Sequence, residues 1–95
     1  MDKKRIVRIP PSTLYRELAD EAVLLQLDTG EYFGLDEVGN RFWHLIQEVG
    51  DFDGIRDRLL SEYNVEPPAL SADLERLLGQ LVARKLVEID EVTSV

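Results

Sequence analysis

The run VLLQLDTGEYFGLDEVGNRFW, residues 23–43, leaves little freedom of interpretation, because it reads as strand, turn, strand and capped helix without a gap. Ala22 to Asp28 is nearly continuously apolar, as expected of a central strand covered on at least one face. Thr29 and Gly30 follow. Glycine there permits the positive φ that a tight two-residue hairpin, or a one-residue bulge beside it, requires. The turn delivers Glu31 to Leu35 antiparallel to the central strand. Asp36 is placed to accept from the free N–H groups of a helix first turn, and Glu37 favours the positive end of the helix dipole. Val38, Phe42, Leu45, Ile46 and Val49 then recur at helical spacing, and Gly50 can take the left-handed conformation that ends the helix.

Thr13 to Ala19, TLYRELA, alternates and predicts a half-buried strand, with Leu14, Arg16 and Leu18 on one side and Thr13, Tyr15 and Glu17 on the other. Asp20 and Glu21 supply a polar turn into the central strand. Consecutive strands joined by short turns lie side by side, so the order is 1-2-3 and Glu31 to Leu35 is an edge. Pro10 and Pro11 remove successive backbone donors and close off residues 1–12 as an extended arm, within which Arg5, Val7 and Ile9 alternate as in a short strand. A second helix is predicted from Asp51 to Asp53, with Ile55, Leu59, Leu60 and Tyr63 on one stripe. It ends before Pro67 and Pro68, with Asn64 as a left-handed stop. Ser71 is placed to cap a third helix whose Leu74, Leu77, Leu78, Leu81, Val82 and Leu86 form a broad apolar band, part of it free to face a groove. Residues 90–95 read as a flexible tail. The expected organisation is an arm over 1–12, one domain over 13–89 and that tail. Its fold class is α+β: a three-stranded antiparallel sheet followed by a three-helix bundle, winged helix-turn-helix-like.

At 95 residues, with 44% hydrophobic residues and a mean hydropathy of -0.18, the chain is expected to bury one modest core. Its apolar runs fall short of the roughly 18 residues that cross a bilayer. The start, MDKKRIVRIPP, is basic without the apolar stretch of a signal peptide. The expectation is a cytoplasmic protein with no membrane partner. Having no cysteine, it has neither a thiolate nucleophile nor a sulfur ligand. A net charge of -8 repels nucleic acid and anionic membranes over the whole surface. The same charge reads either as a solvated surface or as steering for a basic partner.

Winged-helix folds often bind DNA. A recognition helix presents Arg, Lys, Asn or Gln to bases and phosphates, whereas Asp73 and Glu75 occupy the start of the third helix here. Catalysis needs an activated nucleophile, an acid/base pair or a metal cluster. The single histidine, His44, sits inside the first helix between Trp43 and Leu45. The acids Asp51, Asp53, Asp57 and Glu62 lack the spacing of a calcium loop. Neither an enzyme nor a cofactor is indicated, which leaves binding. The edge strand offers unpaired N–H and C=O groups to an extended peptide. Gly34 has two readings, as a place where another backbone can approach closely and as a bend into the following helix.

The pattern VLLQLDTGEYFGL, continued by DEVGNRFWHLI, LLSEYNV and DLERLLGQLVARKLVEI, resembles the family of pyrroloquinoline-quinone biosynthesis protein D over roughly residues 13–89. Members of that family recognise the leader peptides of ribosomally made, modified peptides. The stretch GEYFGLDEVG followed by RFW is most similar to stand-alone members of lasso-peptide biosynthesis. Members acting as peptide chaperones in quinone-cofactor synthesis rank second, and a winged-helix DNA-binding regulator third.

The resemblance implies that a precursor leader adds as a strand to Glu31, Tyr32, Phe33, Gly34 and Leu35, in a groove whose helix side is Asp73, Leu74, Arg76, Leu77, Gln80, Leu81 and Arg84. Lasso leaders of this type often carry a tyrosine and a proline three residues later, which implies an apolar anchor pocket near Phe33, Leu35, Leu74 and Leu77. Arg76 and Arg84 would suit an acidic leader residue and Asp73 a basic one. The further partners implied are a leader peptidase docking away from the groove and a ring-closing cyclase, with Tyr15, Trp43 and the N-terminal arm as enzyme contacts.

Overall fold

The structure, a computed structural model, describes residues 3–19 and 21–93. Its elements in chain order are β1 (Lys3–Arg8), β2 (Thr13–Leu18), β3 (Glu21–Gln26), β4 (Tyr32–Leu35), α1 (Glu37–Glu48), α2 (Phe52–Glu62), α3 (Pro67–Ala83) and β5 (Glu88–Thr93). β2, β3 and β4 form an antiparallel sheet in that order, so β4 is an edge as expected. The polar turn expected at Asp20 lies outside the described residues, and Glu21 is the first residue of β3.

The corner between β4 and α1 forms as its residues dictate. Gly39 N donates to Asp36 Oδ1 at 2.8 Å, the capping bond that the aspartate was expected to make. Gly39 itself is needed there: a Cβ would lie 3.2 Å from both Asp36 Oδ1 and Leu35 Cδ2. Gly50 ends the turn after α1 at φ 79°. Phe42, Trp43, Leu45 and Ile46 of α1 pack with Leu24, Ile55, Leu59, Leu74, Leu78 and Leu81 in one core between sheet and helices. Arg41 donates through Nε and Nη2 to the two carboxylate oxygens of Glu62, at 2.8 and 2.7 Å, tying α1 to α2.

Four local expectations are corrected. The β3–β4 connection is a four-residue turn over 27–30 rather than a two-residue one. It is closed by Gln26 N to the Glu31 carbonyl and by Gly30 N to the Gln26 carbonyl, with Gly30 at φ 77°. The longer turn follows from Gln26, whose buried amide donates to the Lys85 carbonyl and accepts from Asp28 N, stopping the strand early. α3 begins at Pro67, with prolines at its first two positions, so Ser71 is internal rather than its cap. Asn64 is not a left-handed stop, since the non-glycine residues with positive φ among those described are Ala19 and Lys85. Lys85 instead ends α3, with Leu86 N bonded back to the Leu81 carbonyl.

The fourth correction concerns the two ends of the chain. The arm is strand β1, stopped before Pro10 as anticipated. Residues 90–93, expected to be flexible, belong to β5, which pairs antiparallel with β1 from Lys3↔Thr93 to Arg8↔Glu88. Opposite charges fix that register, with Arg8 Nε donating to Asp90 Oδ2 at 2.6 Å. Arg5 then clamps the ribbon onto the bundle, forking onto Glu75 of α3 at 2.9 and 2.7 Å and lying 4.4 Å over the Phe52 ring of α2.

Hydrogen bonds from Arg5 and Arg8 hold the Glu75 and Asp90 carboxyls below the usual carboxylate range. Folded-state pKa values below the unfolded ones contribute stability that is present above about pH 4.5 and is lost as pH falls through the depressed values. Thermal unfolding followed by circular dichroism is therefore expected to show a lower Tm at about pH 3 than at about pH 7. Glu75→Gln should lower the neutral Tm and reduce this acid-induced drop.

Candidate functional site

Between β4 and α3 lies a groove of about 640 Å³. β4 contributes Phe33, Gly34 and Leu35 to its wall, and α3 contributes Asp73, Leu74, Arg76, Leu77 and Gln80. The four residues expected around an apolar pocket, Phe33, Leu35, Leu74 and Leu77, thus meet in one groove. Leu35 and Leu74 are buried at its floor, while Phe33 and Leu77 are half-buried above them.

Glu31 and Arg84, also expected in the groove, do not line it; they pair beside Phe33. Arg84 Nη1 donates to Glu31 Oε2 at 3.2 Å, and the guanidinium carbon lies 5.5 Å from the Phe33 ring centroid. Arg76 Nη2 donates to Asp73 Oδ1 at 2.8 Å on the rim. Such exposed pairs are worth about 0–1 kcal/mol and exchange easily for a ligand's charges.

Two further expected residues, Leu81 and Tyr32, are also absent from the groove lining. Leu81 is fully buried in the core rather than on the groove, one turn beyond Leu77 and three residues after buried Leu78 on the inward face of α3. Tyr32 is 69% exposed on the opposite face of the sheet, and reaches the edge only through its backbone.

The reading from sequence missed Glu21, the first turn of α1 at Asp36, Val38 and Gly39, and the start of the α3 wall at Val65, Ala69 and Leu70. Ala69 and Leu70 were missed because α3 was begun at Ser71. The prolines at 67 and 68, favourable at the start of a helix, were the available signal.

Hydrogen-bond alternation decides which backbone groups are free. Gln26 N donates to the Glu31 carbonyl, and Leu27 N to the Ser12 carbonyl. With the register Leu24↔Phe33 and Ala22↔Leu35, the N–H and C=O groups of Phe33 and Leu35 point into the sheet, and those of Tyr32 and Gly34 point out along the free edge. No atom lies within 4 Å of a Cβ built on Gly34, and its φ is not positive, so neither packing nor conformation demands glycine there. What the glycine provides is an unobstructed edge.

Tyr15 and Trp43 are structural. Trp43 is 1% exposed and stacks on Tyr15 at 6.4 Å, which rules it out as a surface contact. Tyr15 Oη donates to Asn40 Oδ1 at 2.7 Å and lies 3.1 Å from His44 Nε2, locking β2 onto α1. Burial pushes the Tyr15 hydroxyl pKa up. None of the helices over the described residues is long and apolar enough to cross a membrane.

An open strand edge thus lies beside an apolar groove, on a small sheet backed by three helices. The family model for coenzyme PQQ synthesis protein D (PqqD) matches residues 21–87, and the chain belongs to that family. Among solved structures it is similar to TbiB1 in complex with the TbiA(beta) leader peptide, at 40% identity and a TM-score of 0.79, over 85% of this chain and 94% of that one. No curated protein sequence matches it.

Proposed function

We propose that this protein is a non-catalytic, cytoplasmic recognition element that binds the leader peptide of a ribosomally synthesised precursor, of the lasso class, by strand addition to β4. The observation that supports this most is the free edge at Tyr32 and Gly34, flanked by the apolar groove, in a chain 40% identical to one solved with a leader peptide. Main-chain hydrogen bonds set the leader's register, and alternate leader side chains enter the groove between β4 and α3. The function is positional: a held leader raises the effective concentration of the attached core peptide near a leader peptidase and then a cyclase.

A second reading, a peptide chaperone of quinone-cofactor synthesis, has the family model's own description in its favour. Fluorescence anisotropy with a labelled leader from the precursor encoded beside this gene separates the two. Saturable binding is expected. Removing the leader's tyrosine anchor should weaken it by about 2–3 kcal/mol, or roughly 30–150-fold. Failure of a folded sample to bind that leader, with binding to a quinone-cofactor precursor instead, would favour the second reading.

A further inference from the structure

α3 is one wall of the groove, so the width of the groove depends on where that helix sits. Asp73, Leu77 and Gln80 line the groove. Glu75 is two residues from both Asp73 and Leu77, about 200° round the helix from each, and therefore lies on the back of the wall. There its carboxylate takes the Arg5 fork, Nη1 on Oε1 at 2.9 Å and Nη2 on Oε2 at 2.7 Å. The same guanidinium lies 4.4 Å over the ring of Phe52, which is buried at the start of α2. The strand that carries Arg5 is held on both sides. Val7 N donates to the Gly50 carbonyl at 2.9 Å, and Ile6 stands opposite Asp90 across the ribbon. Alternation turns the backbone of Arg5 and Val7 toward residues 50–52 and that of Ile6 toward β5.

We infer that Arg5 is a positioning residue for the bound peptide: by gripping Glu75 from behind, β1 sets α3 at the distance from β4 at which the groove accepts an added strand. The inference rests on the leader-binding reading above.

The other forces on α3 do not fix that distance. Leu70, Leu74, Leu78 and Leu81 bury the helix in the core, but apolar packing is non-directional and packed helices slide by small amounts. A planar fork on a carboxylate sets both direction and length. Precision of this kind matters, because a binding site has to be held to within about 0.5 Å of its productive geometry. β1 and β5 lie outside residues 21–87, the stretch matched by the family model, so the brace is supplied by the two ends of the chain. Coupling between two sites is reciprocal. A peptide that needs α3 in place also holds Arg5 on Glu75 and the ribbon against the bundle.

The test measures leader affinity by anisotropy, well below every Tm, on the full chain as wild type, Arg5→Gln, Glu75→Gln, the double variant and Arg41→Gln. Arg41 is the control for lost stability, since it forks onto Glu62 at 2.8 and 2.7 Å but joins α1 to α2. Each single variant of the Arg5–Glu75 pair is expected to weaken leader binding about 5–10-fold, and the double variant no more than either. Arg41→Gln should lower the Tm comparably yet leave leader affinity within about twofold of wild type. Hydrogen exchange supplies a readout that a purely structural pair would not move: leader binding should slow exchange at the Ile6 and Asp90 amides in wild type and not in Glu75→Gln. Should Arg5→Gln fail to fold, Arg5→Lys, which keeps the charge without the fork, takes its place. Unchanged leader affinity in the Arg5 and Glu75 variants overturns the inference. So does an equal loss in Arg41→Gln, which would trace the effect to stability alone. In both cases wild type still binds leader and the leader-binding reading stands, whereas a folded wild type that binds no leader overturns that reading and this inference with it.

Discussion

Gly34→Pro is expected to abolish leader binding while leaving the sheet assembled. The N–H of residue 34 points away from β3 along the free edge, so a proline there costs the sheet none of its own ladder bonds. The ring enters open space, since nothing lies within 4 Å of a Cβ at this position. A leader strand, by contrast, loses a main-chain donor, keeps an unsatisfied carbonyl and meets the ring. Together these cost about 3 kcal/mol, or more than ~100-fold in affinity. Tyr32→Pro should behave in the same way. Phe33→Pro should not: that N–H faces β3 opposite Leu24, so the substitution breaks the β3–β4 ladder itself. Circular dichroism and anisotropy on the three variants separate the cases. Unchanged leader affinity in both Gly34→Pro and Tyr32→Pro would sink the strand-addition model.

The parts legible in the sequence were those governed by neighbours along the chain. Asp36 as a cap and Gly30 and Gly50 at positive φ follow from local backbone chemistry, and the structure has all three. The edge position of β4 followed from short connections and is likewise present. What escaped was decided by distant partners. β5 has no strong strand pattern, and only its pairing with β1, at the far end of the chain, orders it. The turn over 27–30 is longer than glycine placement alone implied because buried Gln26 is engaged by a carbonyl of residue 85. Within α3 the apolar band was too wide for sequence to say which leucines face the groove. That division is set by the packing of α1 and α2 behind it, and it places Leu77 on the groove and Leu81 in the core.

These two leucines provide the second large effect, because the same truncation should act on different properties at positions one helical turn apart. Leu81 is 0% exposed within the main core, so Leu81→Ala removes buried methyl groups and leaves a cavity that its neighbours cannot fully close. The expected cost is about 2–5 kcal/mol of a total stability on the order of 5–14 kcal/mol for a chain of this size. At about 4–8 °C per kcal/mol, the Tm should fall by at least ~8 °C. Leader affinity, measured at a temperature where the variant remains folded, should change little. Leu77 is only half-buried and lines the groove, so Leu77→Ala should lower the Tm by no more than a few degrees. It should nevertheless weaken leader binding by about 1–2 kcal/mol, or roughly 5–30-fold, as apolar contact with the bound strand is lost. Thermal melts paired with anisotropy titrations check both. If Leu81→Ala weakened the leader without lowering the Tm, the groove would have to extend one turn further along α3 than Leu77 and Gln80.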